Sequence, residues 1–440
     1  MAIRSKPSVF STQLPIKIIC FVLLYGLCIF LTLNRHSKAR LFTYHSELWA
    51  DKAGYNVYLP ATFRYHFDAR AFPDSVDQAT GNGFVLHRAT GKVETKYPYG
   101  VALLQTPFWL VGHSLSPDKS GYSKPEHKAI DLAGVTYFVL GLWLLFSTLR
   151  RYFSAGVTSL ALLLLGLGTN LWYYGVIETG MSHAYSFAAF ALLLYLLANP
   201  AKPAWYEAAT SNRRLLALAL TLALISILRP LNLVLAMPLL AWPAVPGAAG
   251  QRAWHLPTVL RLAGWLLLTG IVLWLPQLAY YHYLRGSWLL YSYGQEGFSH
   301  WLSPRLAALW FAPNNGSFLY NPLLLLALAG SFLLARRSLR WAALTLGIWA
   351  VATYLYATWW TYALGCGYGG RGFVELYPIL AWPLAAVVAY LAERQKALRW
   401  SAGVVLVLLV AYNLRLSFNF DRCFYGTSDW DWTFFQHLLF

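Results

Sequence analysis

Eleven apolar runs dominate this sequence, each close to the roughly 20 residues that cross a hydrocarbon core about 30 Å thick. They lie near 16–34, 129–149, 156–174, 183–198, 214–228, 231–246, 262–283, 318–335, 341–358, 377–393 and 400–417. In lipid every backbone polar group must be satisfied within its own segment, so such runs fold as helices. The expected fold class is therefore an all-α integral membrane protein with about eleven transmembrane helices. Composition agrees, since 58% of the 440 residues are hydrophobic and only 12% are charged. Soluble domains run near 45–50% and about 25%. A disordered chain, a disulfide scaffold and an ordinary soluble enzyme are excluded. The four cysteines, at 20, 28, 366 and 423, are too scattered for a Cys-rich zinc site.

A weaker apolar stretch at 98–116 carries Pro98, Gly100, Pro107 and Gly112. Charge decides how it is read. If it does not cross and the N-terminus is cytoplasmic, the short cytoplasmic segments collect sixteen bases and two acids, Glu207 and Glu393. That is the asymmetry expected of cytoplasmic loops. The sequence thus predicts that 98–116 lies along the outer membrane face and that the C-terminus is outside. The net charge of +17 sets orientation rather than binding nucleic acid, because it is scattered over many short loops. The first run ends without a small-residue cleavage site, so it is expected to remain as an anchor.

This topology makes 1–417 one polytopic domain with two long outer segments, 35–128 and 284–317, and an outer tail, 418–440. Short aromatic pieces at 288–293 and 301–311 are expected in the membrane interface. Fifteen of the seventeen acids fall outside or at outer helix ends, where a carboxylate beside lipid is a functional candidate by default.

Four constellations carry the candidate chemistry. Asp51 follows the first run closely and is placed to take a proton from an attacking hydroxyl; the plain alternative is a helix N-cap. Glu47, four residues earlier, shares its face if that stretch is helical. Glu178 precedes His183 at the outward start of the fourth run, where they are candidates to line a pocket, hold a phosphate or bind a metal. The plain alternative there is that Thr179 or Ser182 caps the helix. Arg229-Pro230, in the turn between the fifth and sixth runs, offers a guanidinium to an anionic head group, or simply snorkels. The strongest signal is Gly365 to Pro378, where five glycines surround Arg371 at the mouth of the tenth run. Arg371 and Glu375 are four apart and could instead pair on one helix face. No strand-linked nucleotide motif and no serine elbow occurs.

The stretch Asp51…Tyr55…Tyr58-Leu59-Pro60 and the Lys96-Tyr97-Pro98-Tyr99-Gly100 sequence ahead of an amphipathic helix resemble the GT-C glycosyltransferases. The likeness is to polytopic enzymes of the dolichyl-phosphate-mannose protein mannosyltransferase and lipid A aminoarabinose transferase type. Glu178…Ser182-His183-Ala184-Tyr185, Arg229-Pro230 and Gly370-Arg371…Glu375 look like positions that recur in bacterial members. The resemblance implies a transmembrane bundle whose large outer loop carries membrane-surface helices. It implies transfer of a sugar from a polyprenyl-phosphate donor to a glycan, lipid or protein acceptor, with inversion, on the outer face of the inner membrane. Asp51 would be the base, Arg229 and Arg371 would hold the donor phosphate, and Glu178 and His183 would line the pocket. Glu47, Tyr55, Tyr58, Lys96 and Glu375 complete the expected substrate-binding set. Many members carry paired acids in this loop, whereas Lys52 follows Asp51 here. No cofactor is implied with certainty, a divalent metal is left open, and Glu47 stays an alternate base. A ligase or polymerase of lipid-linked glycans, a lipid or polysaccharide transporter and an envelope scaffold are the rival readings. Whether Cys366 and Cys423 pair is left open.

Overall fold

The computed structural model of the chain describes residues 13–35, 40–243, 254–420 and 428–440. Cys423 and the end of the sixth predicted run lie outside the described residues. Each of the eleven runs otherwise falls on a helix, and the runs together form a multi-pass membrane bundle.

Helix α1 (Gln13–Leu33) leads into the first outer segment. That segment holds α2 (Asp51–Asn56), α3 (Tyr58–Phe63), α4 (Val76–Ala79), an antiparallel hairpin of β1 (Val85–His87) and β2 (Lys92–Glu94), and α5 (Gly100–Leu115). Then come α6 (Lys124–Leu149), α7 (Ala155–Leu167), α8 (Ser182–Leu197), α9 (Asn212–Leu228), α10 (Pro230–Ala236) and α11 (Leu256–Arg285). The second outer segment leads through α12 (Leu306–Phe311) and α13 (Ser317–Tyr320) to α14 (Leu323–Ala335) and α15 (Leu339–Thr358). A 3₁₀ turn, Arg371–Leu376, opens α16 (Tyr377–Ala392), followed by α17 (Lys396–Asn419) and α18 (Thr433–Leu439).

Among the described residues five spans are long and apolar enough to cross a membrane: α6, α11, α15, the Arg371–Ala392 stretch and α17. Several other runs give shorter helices, for local reasons. The third run was expected to reach residue 174, but α7 stops at Gly168 and the chain widens into a π-turn at Tyr173–Ile177. Helix α9 stops at Leu228 because Pro230 disfavours a helical Arg229, whose φ is −153°. The hairpin in the first outer segment is a strand element that an all-α expectation did not contain.

Helices α6 and α8 pack together, as do α14 with α16 and α9 with α11, and their buried faces make one large core. Helix α16 is buried nearly all round, whereas α11 and α17 expose most of their apolar surface, as expected for a central helix and two peripheral ones. The outer segment has its own core, in which Tyr58, Leu59 and Trp109 pack with Tyr280, Tyr281 and Leu284 from the end of α11. Helix α5 rests on α6 and turns Val111 and Leu115 outward, 61% and 71% exposed.

The bundle has two chemically different ends. Arg151 and Arg214 donate to the carbonyls of Ala198 and Leu196 (2.7 and 2.8 Å), satisfying the orphan acceptors at the C-terminus of α8. Lys17, on α1, donates to Ser147 at 2.9 Å near the matching end of α6. The N-terminus of α8 and the C-terminus of α9 point to the opposite end, where the acids and the glycine-rich run converge. This division matches the basic-loop asymmetry read from the sequence.

Candidate functional site

The site grows from the turn that starts α2. Ala50 takes a positive φ of 49°, and its amide donates to the Thr80 carbonyl at 2.8 Å. Gly83 lies so close beneath that an added Cβ would sit 2.9 Å from the Gly54 nitrogen; a side chain there would push the turn away. The turn aims Asp51 out of its helix. Its carboxylate caps nothing, so the capping alternative is set aside. The Tyr97 hydroxyl donates to Oδ1 at 2.5 Å, and the Arg371 guanidinium meets Oδ2 at 2.8 Å. The Asp51 side chain is 29% exposed and that of Arg371 14%, so both face a space open to solvent. Burial alone would raise the Asp51 carboxyl. The Arg371 charge, the Tyr97 hydrogen bond and the Lys96 charge outweigh burial and hold it below the usual carboxylate range.

Arg371 owes its position to the glycines before it. Gly369 and Gly370 are left-handed, with φ of 63° and 68°, a conformation glycine adopts freely. They turn the chain into a 3₁₀ helix rather than an α-helix. With three residues per turn, residues four apart no longer share a face, and the alternative Arg371–Glu375 pairing does not form. Glu375 instead turns inward. Its Oε1 accepts from Arg229 at 2.5 Å and lies 3.0 Å from His183 Nδ1. Glu375 and His183 are buried, while the Arg229 side chain keeps 24% of its exposure. Arg229 is thus neither a simple snorkelling residue nor an isolated anion site, since it is anchored on Glu375 and keeps part of its side chain exposed.

The rim is aromatic. Tyr55 stacks on Tyr97 with ring centroids 4.2 Å apart. Lys96 bonds Glu296 of the second outer segment at 2.6 Å and lies over the rings of Tyr97 and Tyr293. Tyr58 does not line the site; its hydroxyl donates to the Tyr97 carbonyl at 2.7 Å and fixes that backbone from behind.

Besides Tyr58, two more expected members, Glu178 and Glu47, have partners of their own. Glu178 forms a buried ion pair with Lys52, whose ammonium also donates to the Tyr44 carbonyl. The chain at 46–50 is turn rather than helix, so Glu47 does not share a helical face with Asp51. Its carboxylate lies 3.0 Å from His127 on α6 instead. Thr179 donates to Asp131 and Ser182 caps nothing, so neither caps α8. Glu178 and His183 hold different partners, and among the described residues no group of three or more acids, histidines or cysteines converges as a metal site. Cys366 is disulfide-bonded, and Cys20 and Cys28 are free. Glu178→Gln is expected to destabilise the protein by roughly 1.5–3 kcal/mol, the range for a charged hydrogen bond. Thermal unfolding of the purified protein measures this, and an unchanged midpoint would assign Lys52 to solvent rather than to Glu178.

Tyr97, Glu296, Tyr293 and Lys52 were not singled out from the sequence. Tyr97 stood inside the Lys96–Gly100 stretch, but nothing local shows that its hydroxyl reaches residue 51.

No protein-family model matches the sequence, and no curated protein matches it significantly. Among solved structures the chain is similar to ArnT from Cupriavidus metallidurans bound to undecaprenyl phosphate. The TM-score is 0.51, with 17% identity over 91% of this chain and 64% of that one. It is also similar to the apo oligosaccharyltransferase of Archaeoglobus fulgidus. Here the TM-score is 0.50, with 12% identity over 96% of this chain and 57% of that one. The chain thus spans less than two thirds of either protein's length. This chain shares the fold of these two proteins over most of its own length.

Proposed function

We propose that this chain transfers a sugar from a polyprenyl-phosphate donor to an acceptor hydroxyl on the outer face of the inner membrane, with inversion. The observation that carries this reading is the Asp51–Arg371 pair at the mouth of the buried helix α16, with Arg229 and Lys96 on the same rim. A carboxylate beside two guanidiniums is what a single displacement at a phosphorylated sugar requires. Similarity to a protein solved with undecaprenyl phosphate supports a lipid-phosphate donor.

In the reaction the acceptor oxygen attacks the anomeric carbon as Asp51 takes its proton. The bond from that carbon to the phosphate oxygen breaks, and the electron pair leaves with the lipid phosphate. Base and leaving group act on opposite faces of the sugar, which inverts the centre. Arg371 and Arg229 stabilise the charge developing on the phosphate, where fixed positive groups have their largest effect. Glu375 and His183 act through Arg229 rather than on substrate. Loss of transfer on chelation would add a divalent ion to the set.

The test uses the full chain in lipid nanodiscs with a radiolabelled polyprenyl-phosphate hexose or pentose pool and candidate glycan, lipid and peptide acceptors. Arg371→Ala is expected to lower transfer by roughly 10²–10³-fold, the loss typical of removing one oxyanion-stabilising donor. Transfer unaffected by Arg371→Ala would overturn the assignment of the phosphate seat. Growth of glycan chains from lipid-linked glycans, with no transfer from a single-sugar donor, would select the ligase or polymerase reading.

A further inference from the structure

We propose that Tyr97 is a positioning residue that commits Asp51 to using Oδ2 as the base. This rests on the glycosyl-transfer reading above and names a residue that reading does not use.

Both Asp51 oxygens are occupied, but by partners of different kinds. Arg371, on Oδ2, belongs to the phosphate seat, and its guanidinium carries donors that an arriving phosphate competes for. Tyr97, on Oδ1, belongs to the wall. The Tyr97 residue is 5% exposed, its ring is stacked on Tyr55, and its backbone carbonyl is held by Tyr58. Tyr58 in turn packs on Tyr280 of α11, with ring centroids 5.0 Å apart. A donor phosphate therefore draws Arg371 toward itself and uncovers Oδ2, while Oδ1 stays pinned. Oδ1 stays hydrogen-bonded to the wall, and Oδ2 is the oxygen freed to take the proton of the acceptor hydroxyl. Tyr97 remains a neutral donor throughout: burial pushes its phenol up, and the neighbouring Asp51 charge pushes it further.

The groups facing Asp51 come from four places in the chain. They are Tyr55 on α2, Lys96 and Tyr97 ahead of α5, Tyr293 from the second outer segment, and Arg371 from the 3₁₀ turn. Tyr97 is the hydroxyl among them that bonds the carboxylate directly. A hydrogen bond to the ionised form lowers a carboxyl pKa, so its loss raises that of Asp51. The base must be ionised to work, so the acidic limb of the pH profile moves to higher pH.

The test compares the pH dependence of kcat/KM for wild type and Tyr97→Phe, in nanodiscs, with the radiolabelled polyprenyl-phosphate sugar pool. The expected result is an acidic limb displaced upward by about one pH unit, a tenfold change in the ionisation constant, with donor KM within twofold. Site-specific 3,5-difluorotyrosine at 97, nearly isosteric and a stronger donor, is expected to displace the limb downward. It keeps the test alive should the Phe variant fold poorly. An unmoved limb in both variants, or a loss carried wholly by donor KM, overturns the proposal while leaving Asp51 as the base. Wild-type transfer by Asp51→Asn would overturn the underlying reading instead.

Discussion

Asp51→Asn is expected to lower kcat by roughly 10²–10⁴-fold, the span of a positioned general base, without weakening the donor. The second half of that statement distinguishes a base from a binding residue. Asn keeps the size of Asp and still accepts from Tyr97, but it no longer neutralises Arg371. The guanidinium that now spends a donor on Oδ2 at 2.8 Å becomes fully available to phosphate. Undecaprenyl phosphate, used as the binding probe, should therefore bind the variant at least as tightly as wild type. Tryptophan fluorescence or calorimetry measures the affinity, and radiolabel transfer measures the rate. A variant that loses affinity and rate together would place Asp51 among the groups that merely hold the site open.

Glu375→Ala is expected to cost about 3–5 kcal/mol of stability, as breaking a buried pair typically does. Glu375 is fully buried and serves both Arg229 and His183. Removing it leaves a guanidinium with one exposed edge and an imidazole with none. Transfer should fall as well, because Arg229 loses the group that aims it. Glu375→Gln, which keeps an acceptor of the same length, should recover part of the stability but less of the rate, since it no longer balances the charge. Thermal unfolding and initial rates on the same preparations separate the two. Full stability in Glu375→Ala would mean that the three-residue cluster carries no structural load.

The helices were legible in the sequence because twenty apolar residues admit one backbone solution in lipid. Their ends were less so, and for specific reasons. Gly168 shortens α7, Pro230 stops α9, and the π-turn before Glu178 leaves no mark in a hydropathy pattern. The site was half legible. Asp51, Lys96, Arg229, Arg371, Glu375 and His183 stood out as polar groups among apolar runs, and they do converge. Their partnerships did not, because every one joins residues far apart in the chain: 51 with 371, 183 with 375, 47 with 127. The one pairing that spacing favoured, Arg371 with Glu375, presupposed an α-helix, and two left-handed glycines replace it with a tighter turn. Glu47 failed on the same kind of ground, since four residues of spacing mean nothing in a stretch without helix. Tyr97 was invisible for another reason. Tyrosine is common here, with 29 in the chain, and most serve as packing.

The Asp51–Arg371 bond also bears on which lipids the site ignores. A membrane enzyme that recognises a phosphate works in a sheet of phosphates, nearly all of them belonging to the wrong molecule. Here the seat is already taken by a carboxylate of the protein itself, present at a fixed and high effective concentration. Each lipid head group that drifts in must outcompete this resident anion before it gains anything from Arg371. A single phosphodiester contact is a poor bid against a charge-assisted bond at 2.8 Å. A ligand that also engages Arg229 and fills the aromatic rim has more to offer. On the proposed function, the internal carboxylate raises the affinity a lipid needs before it occupies the site at all, while the ratio between two lipids is still set by their contacts to Arg229 and the aromatic rim.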